Sequence, residues 1–143
     1  MREEEHIGRL ISIFSHRIHR RISNGAAEYG LTGVQGRILG FLGHNSDKRD
    51  IFQKDIEGEL NIRRSSVTSV LQLMEKNGYI QRISVSKDAR LKKIILTDKG
   101  REIDEMVYKR IVEFEEFLRA QLTDDEAKIF IELINRLSEK IAD

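Results

Sequence analysis

The chain has 143 residues, 34% of them charged and 39% hydrophobic, with no cysteine and no proline. That length holds one domain with at most a dimerisation element, and the lack of cysteine excludes disulfides, thiolate zinc sites and cysteine redox sensing. The formal net charge of +1 hides an asymmetry: residues 1–59 are balanced, residues 60–101 carry ten bases and three acids (+7), and residues 102–143 carry six bases and twelve acids (−6).

No apolar run approaches the ~18 residues that span a bilayer. The charged start MREEEHIGR has no signal-peptide apolar centre, so a cytoplasmic protein without membrane association is expected. A proline-free chain with long amphipathic stretches leans helical. The first helix is predicted from about Glu4 to Tyr29, with Ile7, Leu10, Ile11, Phe14, Ile18 and Ile22 as its apolar stripe and Gly30 as its stop. Thr32 and Gln35 form a capping box for a second helix that buries Val34, Ile38, Leu39 and Leu42. "GHNSDKRD" reads as a loop.

"IFQKDIEGELNI" predicts a short third helix with Ile56 and Leu60 inward and Asp50 available as its cap. A tight turn at Asn61 leads into a fourth helix, "RRSSVTSVLQLMEKN", closed by Gly78. Residues 79–85 and 91–96 are β-rich and flank a charged tip as a hairpin. Thr97 and Asp98 open a fifth helix, striped by Ile103, Met106 or Val107, Ile111, Phe114, and Phe117 or Leu118. "TDDE" at 123–126 caps a last helix with Phe130, Leu133, Ile134, Leu137 and Ile141 on one face.

The order predicts a mainly α (α+β) protein: a winged helix-turn-helix over 31–100, with long dimerisation helices in 1–30 and 101–143. The outer stripes need cover, and a second copy supplies it most simply. At 100° per residue, Val70, Leu71 and Met74 fall within about 60° of Val67 and form one apolar ridge. Ser65, Ser69, Gln72 and Lys76 cluster opposite, with Thr68 at the edge. Small hydroxyls and an amide, with no acid between Asn61 and Met74, suit a helix lying in a major groove. Arg63 and Arg64 stand where phosphate contacts are usual. The bland alternative is a solvated face, but elsewhere such faces on this chain are rich in Glu and Lys, as in "EFEEFLRAQ".

These segments carry a resemblance. "GLTGVQGRIL" (30–39), "QKDIEGELNIRRSSVTSVLQLMEKNGYIQR" (53–82) and above all "DARLKKIILTDKG" (88–100) resemble the MarR family of transcriptional regulators over nearly the whole chain. The resemblance implies an obligate homodimer of winged-helix subunits, a repressor bound to a pseudo-palindrome in double-stranded DNA. Whether such a regulator represses or activates stays open in the sequence. The resemblance implies recognition through Ser65, Ser66, Thr68, Ser69 and Gln72, and insertion of the wing Arg90 into the minor groove. It also implies release by a small lipophilic or anionic effector held between the dimer helices and the winged domain. Gly33 stands where the family often has Pro, Gly58 where it often has Ala, and Ser69 where it is often basic.

In the wing, Arg90 is the residue to be delivered, Asp88 orients it or closes the turn, and Lys87, Lys92 and Lys93 add charge beside the phosphates. His16 and His19, at i, i+3 spacing, could meet a metal, but Arg17, Arg20 and Arg21 beside them repel a cation, so no metal is expected. His16, Arg20 and Arg37 are the candidates for meeting an anionic effector; a salt bridge or phosphate contact is the plainer role for such arginines. There is no Gly-rich phosphate loop and no nucleophile elbow, which points to a non-enzyme without cofactor. A winged-helix scaffold that binds protein, with the basic block merely solvated, is the remaining alternative. The acid-free helix face and the Asp-x-Arg wing weigh towards DNA.

Overall fold

The computed structural model describes residues 1–142. After a 3-10 turn at Glu3–Glu5 the chain forms α1 (Ile7–Ala27), α2 (Gly33–Asn45), α3 (Gln53–Leu60), α4 (Arg64–Lys76), β1 (Ile80–Ser84), β2 (Lys92–Leu96), α5 (Asp98–Ala120) and α6 (Asp124–Ile141). Residues 1–108 and 109–143 are two compact units.

In the first unit, apolar residues from four elements meet in one core. Ile38, Leu39 and Leu42 of α2, Ile56 of α3, Val67, Leu71 and Met74 of α4, and Ile80, Ile94 and Leu96 of the hairpin are all buried. Each such side chain contributes about 1.5–3 kcal/mol on leaving water. Their burial dictates which side of α4 faces out. Val70, placed on the same ridge by its angle, is half-buried, as is Leu60. The turn between α3 and α4 is made by Asn61 in the left-handed region (φ 51°), a conformation that a short amide side chain tolerates. Gly78, at φ 81°, ends α4 in the same way.

β1 and β2 pair antiparallel, from Ile80 opposite Leu96 to Ser84 opposite Lys92. The start of the third helix departs from expectation. Ile51 is buried outside any helix, and its carbonyl accepts from Ile94 N at 2.8 Å, so it is tied to β2 and is not in α3. Phe52 is the true N-cap, and Asp55 Oδ2 accepts from its amide at 2.8 Å. Asp50, expected as the cap, instead pairs with Lys93 at 3.8 Å.

Thr97 Oγ1 accepts from Gly100 N at 3.0 Å and donates to the Gly78 carbonyl at 2.5 Å, which ties the start of α5 to the end of α4. Gly100 sits against the Tyr79 carbonyl oxygen, where a Cβ would collide. Further along α5, Val107 is the buried stripe residue and Met106 is exposed.

Asp104 lies with its carboxylate pressed on Gly43 of α2, in space a Cβ would need. Burial, assisted by Glu105, pushes its pKa up to about 6. Below about pH 4 the group is protonated folded or unfolded. Between there and 6 only the folded state keeps the proton, and above 6 the folded state carries the full cost of a desolvated charge. Stability from this group therefore falls as pH rises through that window. Asp104→Asn is expected to raise thermal stability at pH 7.5, on the order of 1 kcal/mol after allowing for solvent screening, and to change it little at pH 4. Melting curves at the two pH values check this; an equal gain at both would contradict it.

In the second unit, Thr123 and Glu126 close a reciprocal box on α6, with Glu126 N donating to Thr123 Oγ1 at 3.1 Å and Thr123 N to Glu126 Oε1 at 2.9 Å. Those bonds hold the Glu126 carboxyl below its usual range. Phe130, Leu133, Ile134, Leu137 and Ile141 are all exposed on this helix. In the first unit Ile7, Leu10, Ile11 and Phe14 of α1 are likewise exposed. Among the described residues no helix is long and apolar enough to cross a membrane.

Candidate nucleic-acid interface

The buried ridge of α4 turns the other side of that helix to solvent. Arg63, Arg64, Ser65, Ser66, Ser69 and Gln72 are exposed, and Thr68 is half-buried at the edge. Arg63 is the N-cap by backbone conformation, with no side-chain cap bond, so its guanidinium is not consumed by the helix end. The Ser69 hydroxyl donates to the Ser65 carbonyl at 3.1 Å, and that of Thr68 to the Arg64 carbonyl at 2.9 Å. Gln53, the first residue of α3, reaches across the turn and donates from Nε2 to Thr68 Oγ1 at 2.7 Å. Sequence reasoning missed Gln53; a polar residue opening the helix before the tight turn was the available signal.

The one acid near the end of α4, Glu75, is turned away and neutralised. It accepts from Arg82 of β1 three times: from Nε at 3.2 Å, Nη2 at 3.1 Å and the backbone amide at 3.2 Å. The side-chain bond from Arg82 lowers the Glu75 pKa. The carboxylate–guanidinium pair also joins α4 to the base of the hairpin.

Between β1 and β2, residues 85–91 form the wing tip. Asp88 organises it. Its Oδ1 accepts from the Arg90 backbone amide at 3.0 Å and from Arg90 Nε at 3.3 Å, while its own amide donates to Ser86 Oγ at 3.1 Å. A carboxylate bonding an amide two residues on is an Asx turn. The Arg90 side chain is 93% exposed despite that contact. Lys87 and Lys92 are exposed; Lys93 is half-buried and leans to Asp50.

A second feature is a cleft of ≈ 200 Å³ between α1 and α2, lined by His19, Ile22, Ser23, Thr32, Gly33, Val34 and Arg37. Gly33 lies against the Ser23 hydroxyl, where a Cβ would overlap it. Of the three effector candidates, Arg37 lines the cleft; His16 and Arg20 do not, and His16 Nδ1 is bonded to the Ser12 carbonyl at 2.7 Å. His19, considered only as half of a metal pair, lines the cleft.

Comparison with known proteins adds independent findings. A model of the MarR family matches residues 29–91. The chain is 29% identical over 110 residues to YdgJ, an uncharacterized HTH-type transcriptional regulator of Bacillus subtilis (strain 168), across 77% of this chain and 67% of that one. The crystal structure of the transcription regulator MarR from Oenococcus oeni PSU-1 superposes with a TM-score of 0.74 at 28% identity, covering 94% of this chain and 99% of the other. The S. aureus MepR–DNA complex shares the fold with a TM-score of 0.85 at 24% identity, over 95% and 98% of the two chains.

Proposed function

We propose that the chain is a transcriptional regulator of the MarR family, a sequence-specific DNA-binding repressor acting as a homodimer on a pseudo-palindromic operator. Residues 31–100 bind DNA, and the apolar faces within 1–30 and 101–143 are covered by a second copy. α4 enters the major groove, with Ser65, Ser66, Thr68, Ser69 and Gln72 towards base edges and Arg63 and Arg64 at phosphates. The wing delivers Arg90 to the minor groove, oriented by Asp88, with Lys87 and Lys92 adding charge at the backbone. The observation that carries this reading is the pairing of an acid-free, exposed α4 face with a wing whose arginine is 93% exposed and held by its own turn. The MepR–DNA complex shows a protein of this fold bound to DNA.

The cleft between α1 and α2 is the proposed effector site. Arg37 offers positive charge, His19 offers an imidazole, Thr32 and Ser23 offer hydroxyls, and Ile22 and Val34 offer apolar walls. That lining suits a small lipophilic anion, whose binding releases the operator.

Selection of bound duplexes from a random pool tests the function. The expected result is a two-fold symmetric motif with half-sites ~10 bp apart, because symmetric helices must enter successive major grooves. Affinity for that motif should fall steeply with salt. If two basic blocks neutralise about 6–10 phosphates, the slope of log affinity on log salt is about −5 to −9. No enriched motif, or a slope near zero, would favour a protein-binding scaffold instead.

A further inference from the structure

We propose that Gln53, which lies outside the reading helix, determines what that helix reads at one base pair of each half-site. The inference rests on the regulator reading above. Gln53 Nε2 is 2.7 Å from Thr68 Oγ1 and 3.4 Å from the Arg64 carbonyl oxygen, and Thr68 Oγ1 is 2.9 Å from that same carbonyl.

The polarity of this cluster follows from chemistry. A carbonyl oxygen only accepts, so the Thr68 proton points at Arg64. Gln53 must present its nitrogen, because its oxygen would face two acceptors. The Thr68 hydroxyl therefore has its proton and one lone pair engaged inside the protein. One lone pair and the methyl group remain for DNA.

In the major groove guanine shows two acceptors, N7 and O6, and no donor. Thr68 in this state has nothing to give it. Adenine and cytosine each show an amino donor, and thymine shows a methyl group, which the remaining lone pair or the Thr68 methyl can meet. Guanine is the base this position rejects. Thr68 stays in the state because Gln53 holds its Oγ1. Without Gln53 the side chain can turn about Cα–Cβ, exchange methyl for hydroxyl on the outer side, and offer a proton. Ser69 is a built-in control, since its hydroxyl bonds the Ser65 carbonyl and Gln53 does not reach it.

The test uses the full chain and duplex pools randomised across one half-site, with Gln53→Ala, Thr68→Val and the double variant beside the unaltered protein. The unaltered protein is expected to disfavour guanine at one position by about tenfold. Gln53→Ala should reduce that to under about threefold at the same position, leaving all other positions and the salt slope unchanged. Thr68→Val should alter that position too, and the double variant should add nothing. If Gln53→Ala weakens all sequences by one common factor, or shifts a position that Thr68→Val leaves alone, the inference is wrong and Gln53 only packs α3 on α4. If the unaltered protein enriches no sequence at all, it is the regulator reading that fails.

Discussion

Leu137→Glu is expected to convert the protein to a monomer and to abolish operator binding in the same step. Leu137 stands in a row with Phe130, Leu133, Ile134 and Ile141 on α6, and 42% of its surface is exposed in the single chain. If that row is the seam between two copies, symmetry places two new carboxylates in it, with no opposite charge added. Each uncompensated charge costs on the order of 2–4 kcal/mol in such a setting. The Thr123–Glu126 box at the other end of α6 is untouched, so helicity should survive. Sedimentation at micromolar concentration and a gel shift check the outcome. A dimer that persists would place the interface elsewhere.

Arg90→Ala should leave fold and dimer intact yet cost about 1–3 kcal/mol of DNA affinity per half-site. Among the described residues the guanidinium pairs only with Asp88, and it is almost wholly in solvent, so its loss disturbs no packing. The informative partner variant is Asp88→Ala. Bulk electrostatics says that removing an acid from a DNA-facing tip tightens binding. The geometry says the opposite, because Asp88 Oδ1 bonds both the backbone amide and the side chain of Arg90. Asp88→Ala should thus weaken binding nearly as much as Arg90→Ala, while Lys92→Ala weakens it less and mainly flattens the salt slope. Tighter binding by Asp88→Ala would reduce the wing to a basic patch.

Most of the fold was legible because its signals are local. The Thr32–Gln35 and Thr123–Glu126 boxes are spelled within four residues, and the observed bonds follow that spelling. The α4 ridge follows from helical period, and the hairpin from β-prone runs around a polar tip. What failed was long-range. Ile51 and Phe52 look like the first turn of a helix, yet Ile51 follows a path outside α3, its carbonyl accepting from Ile94, forty-three residues away. Asp50 carries good capping chemistry, but that path moves it off the helix end and towards Lys93. The same limit governs the candidate site. The outward face of α4 could be read from spacing, whereas Gln53 and His19 join their sites only through tertiary approach. Choosing between Met106 and Val107, one residue apart on a stripe, likewise needed α2: Val107 lies beside Gly36 there.

If α4 and the Arg90 tip are the two DNA-directed parts proposed above, the Glu75–Arg82 clamp gives them a common frame. Seen as a two-headed ligand, α4 is one head and the Arg90 tip the other, and the connection between them is a set of short bonds at 3.1–3.2 Å in place of a floppy tether. Once α4 has settled in its groove, the second head is already confined near its target, at an effective concentration that no flexible linker of that span could reach. Engagement of the two grooves then becomes a single event. Anything that tilts α4 withdraws the arginine with it.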